Sequence, residues 1–222
     1  MKTDVEIPEA MRMRLEYKRR FTLREMYRAF VFLPDAVTKM IGNKIPPSVD
    51  KKLLRRLQLA VTEVNGCAAC SYQHAKMALS QGMSGEEISS FLSGGDQFIK
   101  PEEAKAIVFA QHFADAGGFP KKYAFDAIVK KYSEREADIM LSAVQIMMAG
   151  NIYGIPYSAF QSRLKEKPFN GSSVGYEPRM LITGAFLLPI AVIHGTLRRF
   201  MGFSNRRLDK NATQLEAVSD GK

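Results

Sequence analysis

Apolar positions recur along most of this chain at intervals of three and four residues, the spacing of a helix face turned toward a core. Between residues 51 and 64, Leu53, Leu54, Leu57, Ala60, Val61 and Val64 trace such a face, with Ser48 and Asp50 as candidate N-caps. Residues 23–32 form a more apolar stretch expected to end at Pro34, with a short helical piece over 35–40 stopping near Gly42. The charged segment from Pro8 to Arg20 carries only a weak stripe of Met11, Met13 and Leu15 and reads as a short surface helix. Further on, a helix is expected from Cys67 to about Gln81, with Gly82 as its C-cap. Ser84-Gly-Glu-Glu87 and Ser133-Glu-Arg-Glu136 have capping-box spacing, so short and long helices should open there. Pro101-Glu-Glu suits a first turn leading into Ile107, Val108, Ala110 and Phe113, and residues 121–132 form another amphipathic run. No stretch alternates with period two between hairpin turns, and the pattern predicts an all-α fold.

The last quarter of the chain departs from this amphipathic pattern. A Pro/Gly/Ser-containing stretch from Lys165 to Pro178 reads as a linker. Residues 180–197 are then apolar on every face, interrupted only by Pro189 and His194, and flanked by Arg179, Arg198 and Arg199. Eighteen such residues fall just short of the ~20 needed to span a bilayer. A helix covered in a subunit interface, one lying on a membrane surface and one spanning the membrane all fit this pattern. Residues 209–222 are polar and carry no ordering signal. The domain organisation expected is an N-terminal surface helix (1–21), a helical core (22–166), and a linker with an apolar, basic extension (167–222).

Composition narrows the functional classes. The 222 residues are 46% hydrophobic, enough for a substantial core, and the formal net charge is +9. The basic residues are spread over four separate stretches with no recognition motif, which favours a solvated basic surface over nucleic-acid binding. The segment Met1 to Pro8 carries acids and no apolar core, so no signal peptide is expected and a cytoplasmic location is.

The chemistry concentrates in Glu63-Val-Asn-Gly-Cys67-Ala-Ala-Cys70-Ser-Tyr-Gln-His74, which holds the only two cysteines of the chain. On a helix opening near Cys67, with Asn65 as its N-cap, Cys67, Cys70 and His74 share one face. A thiol in a first helical turn feels the positive end of the macrodipole, which favours thiolate. Two bland alternatives stand beside a redox pair. Half a zinc site would need two more ligands, and only His74, His112 and His194 remain as nitrogen donors, neither distant histidine with ligand-like spacing. Inert buried cysteines would be unusual as an isolated CxxC with a histidine one turn on.

The run from Gln58 to Leu79 resembles the core of the carboxymuconolactone decarboxylase superfamily, and its CxxCxxxH resembles the AhpD-like alkylhydroperoxidase branch. The resemblance continues through Gly82-Met-Ser-Gly-Glu-Glu-Ile88 to the end of a second helix pair at Ala149-Gly-Asn151. It covers roughly residues 25 to 165. It implies an all-α AhpD-like bundle, a homo-oligomer, and a dithiol that reduces hydroperoxides without metal or organic cofactor, re-reduced by an external dithiol donor protein. The decarboxylase branch lacks the CxxC, so the pair argues against lactone decarboxylation.

Peroxide reduction needs one thiolate to attack the O–O bond and a second thiol to resolve the sulfenic acid. Cys70 is the expected attacker, because His74 at i+4 can take its proton, and Cys67 the resolving thiol, more open to a reductant at the helix start. The reverse assignment stays open. Members of this branch carry a glutamate about three turns ahead of the first cysteine that feeds a proton relay with the histidine. Here those positions read Leu53-Leu-Arg55-Arg56, with no acid, and Glu63 is the candidate replacement. Tyr72 should point off the reactive face and pack, and His112 should be a core or partly exposed histidine. The expected activity is that of a thiol-dependent peroxidase or disulfide oxidoreductase. The alternative is a redox-sensing or membrane-associated interaction protein, contacting a membrane through residues 179–207.

Overall fold

The computed structural model describes residues 17–44, 47–171 and 173–211. Among them the chain forms eight α-helices and no strand. In chain order these are α1 (Leu23–Gly42), α2 (Lys51–Asn65), α3 (Ala68–Ser80), α4 (Gly85–Ser93), α5 (Ala104–Asp115), α6 (Lys122–Lys131), α7 (Glu134–Leu164) and α8 (Tyr176–Phe200). The all-α expectation holds. Most of the expected surface helix over 8–20 lies outside the described residues, and residues 17–20 are not helical.

α7 is the axis of the bundle. Its 31 residues are buried along Ile139, Met140, Val144, Met147, Ile152 and Ile155, and α1, α2, α3 and α8 all pack against it. Asp50, not Ser48, caps α2, its carboxylate accepting the N–H groups of Lys52 and Leu53. Leu53, Leu54, Leu57, Ala60 and Val61 of the expected apolar face are buried and Val64 half-buried. Gln58, Leu59 and Thr62 are buried as well, so α2 is enclosed on more than one side, and Arg56 ties it to its neighbours. Its guanidinium donates to Glu87 on α4 and to both carboxylate oxygens of Glu103 just ahead of α5. Deeper in, Asn151 of α7 is fully buried and exchanges long hydrogen bonds with Thr62 and the Val61 carbonyl of α2.

Two expected helix ends are overridden. α1 does not stop before Pro34 but runs through it to Gly42. A proline inside a helix forfeits one backbone hydrogen bond. Packing against α7 and α8 offsets that loss, as does the Thr22–Glu25 capping box at its start. Likewise α7 does not end at Ala149-Gly-Asn151 but continues past Gly154 and Pro156 to Leu164. The segment after α8 is also more ordered than its composition suggests. Asn205 donates to the Phe32 carbonyl and accepts from Gln145, while Asp209 bonds through its backbone to Pro120 and Lys122.

α8 lies on α1 through small residues. Gly184, Ala191 and Gly195 are buried on its inner face. A methyl group added at Gly195 would collide with the Val31 carbonyl oxygen and stand 3.0 Å from Pro34 Cδ. The start of α8 is fixed by Glu177, fully buried, which accepts from Tyr17, from Arg163 and from the Ser173 amide. Gly195→Ala is expected to force the two backbones apart and lower the stability of unfolding by about 1–3 kcal/mol. A urea midpoint unchanged from wild type would show that α8 is not held this closely.

Candidate functional site

The dithiol sits where α3 begins against the flank of α7. Gly66 takes the left-handed conformation that ends α2, at φ 72°, and the chain turns directly into Cys67. Cys67, not Asn65, is the N-cap of α3. Asn65 closes α2 instead, buried, with its amide nitrogen donating to Met148 Sδ. The cap is unusual in its acceptor: the Cys70 amide donates to Cys67 Sγ at 3.3 Å. Of the amides orphaned at the start of α3, Cys70's is thus taken by a sulfur. That of Ala69 is taken by Ser158 Oγ of α7, which in turn donates to the Gly154 carbonyl.

Cys67 and Cys70 are joined in a disulfide, with Cα atoms 5.3 Å apart. Cys67 is fully buried, whereas Cys70 is partly exposed, its Sγ 3.6 Å from the Gly150 carbonyl oxygen. The expectation that Cys67 is the more open of the two is therefore reversed. As the cap, it is enclosed between α2 and α7. The bridge lies flat on α7 because position 154 has no side chain. A Cβ there would come within 2.7 Å of Cys70 Sγ and 2.8 Å of Cys67 Sγ. Sequence reasoning did not single out Gly154 or Ser158. The signal available was the repeat of Gly150, Gly154 and Ser158 at four-residue spacing, one small-residue stripe along α7.

His74 points back toward α2. Its Nδ1 lies 2.8 Å from Arg55 Nη1, and the same guanidinium donates to Gln58 Oε1 at 2.7 Å. An arginine can only donate, so Nδ1 is the acceptor and the imidazole proton sits on Nε2. Burial, followed by the adjacent Arg55 charge, lowers the His74 pKa from 6.5 to about 4. At neutral pH His74 is uncharged, with its one basic nitrogen occupied. With Nδ1 accepting from Arg55, the neutral ring has no free basic nitrogen for the proton of Cys70, the role its spacing suggested.

Arg55 occupies the stretch where an acid was expected. It is 9% exposed, and its hydrogen-bond partners are the neutral acceptors Gln58, His74 and, at 3.4 Å, Gln81. No carboxylate pairs with it among the described residues. On its outer side lies an open cavity of ≈ 580 Å³, lined by Lys44, Lys51, Leu54, Gln58 and Gln81 among others. The site is electropositive, which favours a thiolate or another anion over a neutral group.

The remaining candidates fall elsewhere. Glu63 is engaged by Lys18 at 2.7 Å and stands near Gly94 at the end of α4. It does not replace the relay acid through any bond to His74 or Arg55. Tyr72 does not pack but is 52% exposed. His112 has a structural part, its Nε2 accepting the Lys121 amide at the start of α6 while the ring stacks on Tyr123. His194 meets the Tyr27 hydroxyl through Nδ1, far along the chain from the cysteines.

The fold is a helical bundle with a disulfide-bonded pair at a helix N-terminus. The model of the carboxymuconolactone decarboxylase family matches residues 33–111. That span runs from the second half of α1 into α5 and contains Arg55, both cysteines and His74. The family includes AhpD-like proteins and enzymes of more than one reaction type. No curated protein matches the chain significantly.

Gly154→Ala is expected to press its methyl into both sulfurs and destabilise the oxidised protein by about 1–3 kcal/mol in urea unfolding. Gly150→Ala, whose added methyl would meet no atom of a neighbouring element within 4 Å, serves as the control and should be neutral or stabilising by up to about 1 kcal/mol. Equal effects at both positions would show that the bridge does not rest on α7.

Proposed function

We propose that this protein is a thiol-dependent oxidoreductase of the AhpD-like kind, cycling Cys67 and Cys70 between dithiol and disulfide to reduce hydroperoxides or disulfides. The observation that carries this reading is the paired sulfurs at the N-terminus of α3, one enclosed and one reachable. In the reduced state Cys70 thiolate attacks the O–O bond of a hydroperoxide, giving Cys70 sulfenic acid and an alkoxide that leaves as the alcohol after protonation. Cys67 then attacks the Cys70 sulfur, forming the disulfide and releasing water. A donor thiolate reopens the bridge at Cys70, the accessible sulfur, and expels Cys67 as thiolate. That leaving group is favoured because the Cys70 amide already donates to its sulfur at the positive end of α3. The donor's second thiol then releases Cys70. No metal or organic cofactor enters these steps.

Thiolate formation in this scheme rests on Arg55 and the helix terminus, not on His74. The occupied Nδ1 favours disulfide exchange over peroxide reduction, because the alkoxide finds no protonated imidazole beside it. The roles are tested by titrating thiols before and after one equivalent of an organic hydroperoxide, and separately of an aromatic disulfide. Wild type should lose two thiols per chain with either oxidant, more rapidly than free cysteine. Cys67→Ser should accumulate a trappable sulfenic acid with the peroxide, and Cys70→Ser should react with neither. Preserved oxidation in Cys70→Ser would make Cys67 the attacker. Thiol loss no faster than that of free cysteine with both oxidants would remove the oxidoreductase reading.

A further inference from the structure

Two helices among the described residues are long and apolar enough to cross a membrane, and they differ in one decisive respect. The qualifying window of α7 is 78% buried, as befits the core of a bundle, whereas that of α8 is 22% buried. The distribution of side-chain size on α8 is inverted relative to a helix on a water-facing surface. Its small residues, Gly184, Ala191 and Gly195, face the protein, and its large apolar residues face outward. Ile182, Phe186, Ile190, Ile193, Leu197 and Phe200 are all more than half exposed, Phe186 at 71% and Phe200 at 79%. At 100° per residue these six fall in a sector roughly 80° wide, a continuous stripe along a helix about 37 Å long. Small residues inward and large apolar residues outward are the arrangement of a helix whose outer face meets lipid or another apolar surface.

Charge decides among the possible occupants. From Arg179 to Arg207 the chain holds five arginines and no aspartate or glutamate. Two of them, Arg179 and Arg199, are exposed at opposite ends of the helix, Arg199 also lying 3.8 Å from Asp35 of α1. If two copies paired through this face in antiparallel fashion, Arg179 would approach the partner's basic end. In parallel fashion the two Arg198-Arg199 pairs would meet each other. Both arrangements bring like charges together beside an apolar seam, where they are destabilising. Spanning is excluded by the neighbour: α8 is packed along α1, which carries Arg24, Glu25, Arg28, Asp35 and Lys39 and could not enter hydrocarbon with it.

We propose that α8 is a membrane-surface helix, docking the protein on anionic lipid with its apolar stripe immersed at the headgroup boundary and its terminal arginines on the lipid phosphates. The rest of the bundle then stays in water, held to α8 through α1 and α7. Binding of this kind combines apolar burial with an electrostatic part that salt screens. The proposal is independent of the chemistry assigned to the cysteines.

The test is co-sedimentation of the full-length protein with phosphatidylcholine vesicles, with and without phosphatidylglycerol, at low and at high salt. It is repeated for the double variant Phe186→Glu/Ile193→Glu. Both positions are exposed, so the variant should keep its helical circular dichroism and cooperative melting. Wild type should partition onto the anionic vesicles at least about ten-fold better than onto the neutral ones, less so at high salt, and the variant should lose at least about ten-fold of that binding. Three results would overturn the proposal. Wild type could fail to prefer anionic vesicles, the folded variant could bind them as well as wild type, or wild type could ignore vesicles while the variant converts a sedimenting dimer to monomer. The last would give the stripe to a second copy of the chain.

Discussion

A buried guanidinium surrounded by neutral acceptors sets the chemistry of this fold. Arg55 brings a full positive charge next to the dithiol helix, and its hydrogen bonds go to two amide oxygens and an imidazole nitrogen instead of a carboxylate. Taking such a charge out of water is costly unless something nearby compensates. Part of the compensation is the hydrogen bonding itself, and part is the half-open cavity on its outer side. The consequence for His74 is direct: donation from Arg55 fixes its tautomer, and burial beside a cation keeps it neutral. A position that held an acid would have the opposite effect, raising the basicity of the imidazole and letting it pass a proton.

The pattern of the chain made the helices legible because their apolar faces are regular. α2 needed only its stripe of leucines and valines, and Asp50 to start it, and the structure follows that reading closely. The CxxC could be located and its cysteines paired from spacing alone, since the helix geometry forces i and i+3 together. What failed was local grammar overruled by packing. Pro34 and Pro156 lie inside long helices, because each costs one hydrogen bond while the packed face of the helix, buried chiefly ahead of the proline, is kept. Exposure at the cysteines was misjudged for a related reason. Standing at a helix start suggests openness, yet Cys67 is enclosed by α7, whose glycines let its backbone close over the bridge.

The residues around the sulfurs were the least legible. Gly154 and Ser158 lie more than eighty positions from Cys70, and nothing local marks them as neighbours. Arg55 was visible only as a missing acid; that it reaches His74 depends on how α2 and α3 cross after the Gly66 turn. The stretch at the C-terminus, apolar on all sides yet basic at both ends, left three readings open. Its inner face is spent on contact with α1, and the outer face is what composition alone could not distinguish from core.

The most direct test of the account is the state of His74 in solution, followed by nitrogen-15 NMR of its imidazole in both the oxidised and the reduced protein. A folded-state pKa held below the ordinary value means that His74 stays neutral as pH falls past 6.5 and titrates only near 4. The account predicts a neutral ring protonated on Nε2 at pH 7 in both redox states, with Arg55→Gln moving its titration upward toward the ordinary value. An imidazolium at pH 7 in the reduced protein would mean that His74 has taken the thiol's proton. Arg55 would then not be what controls the pair.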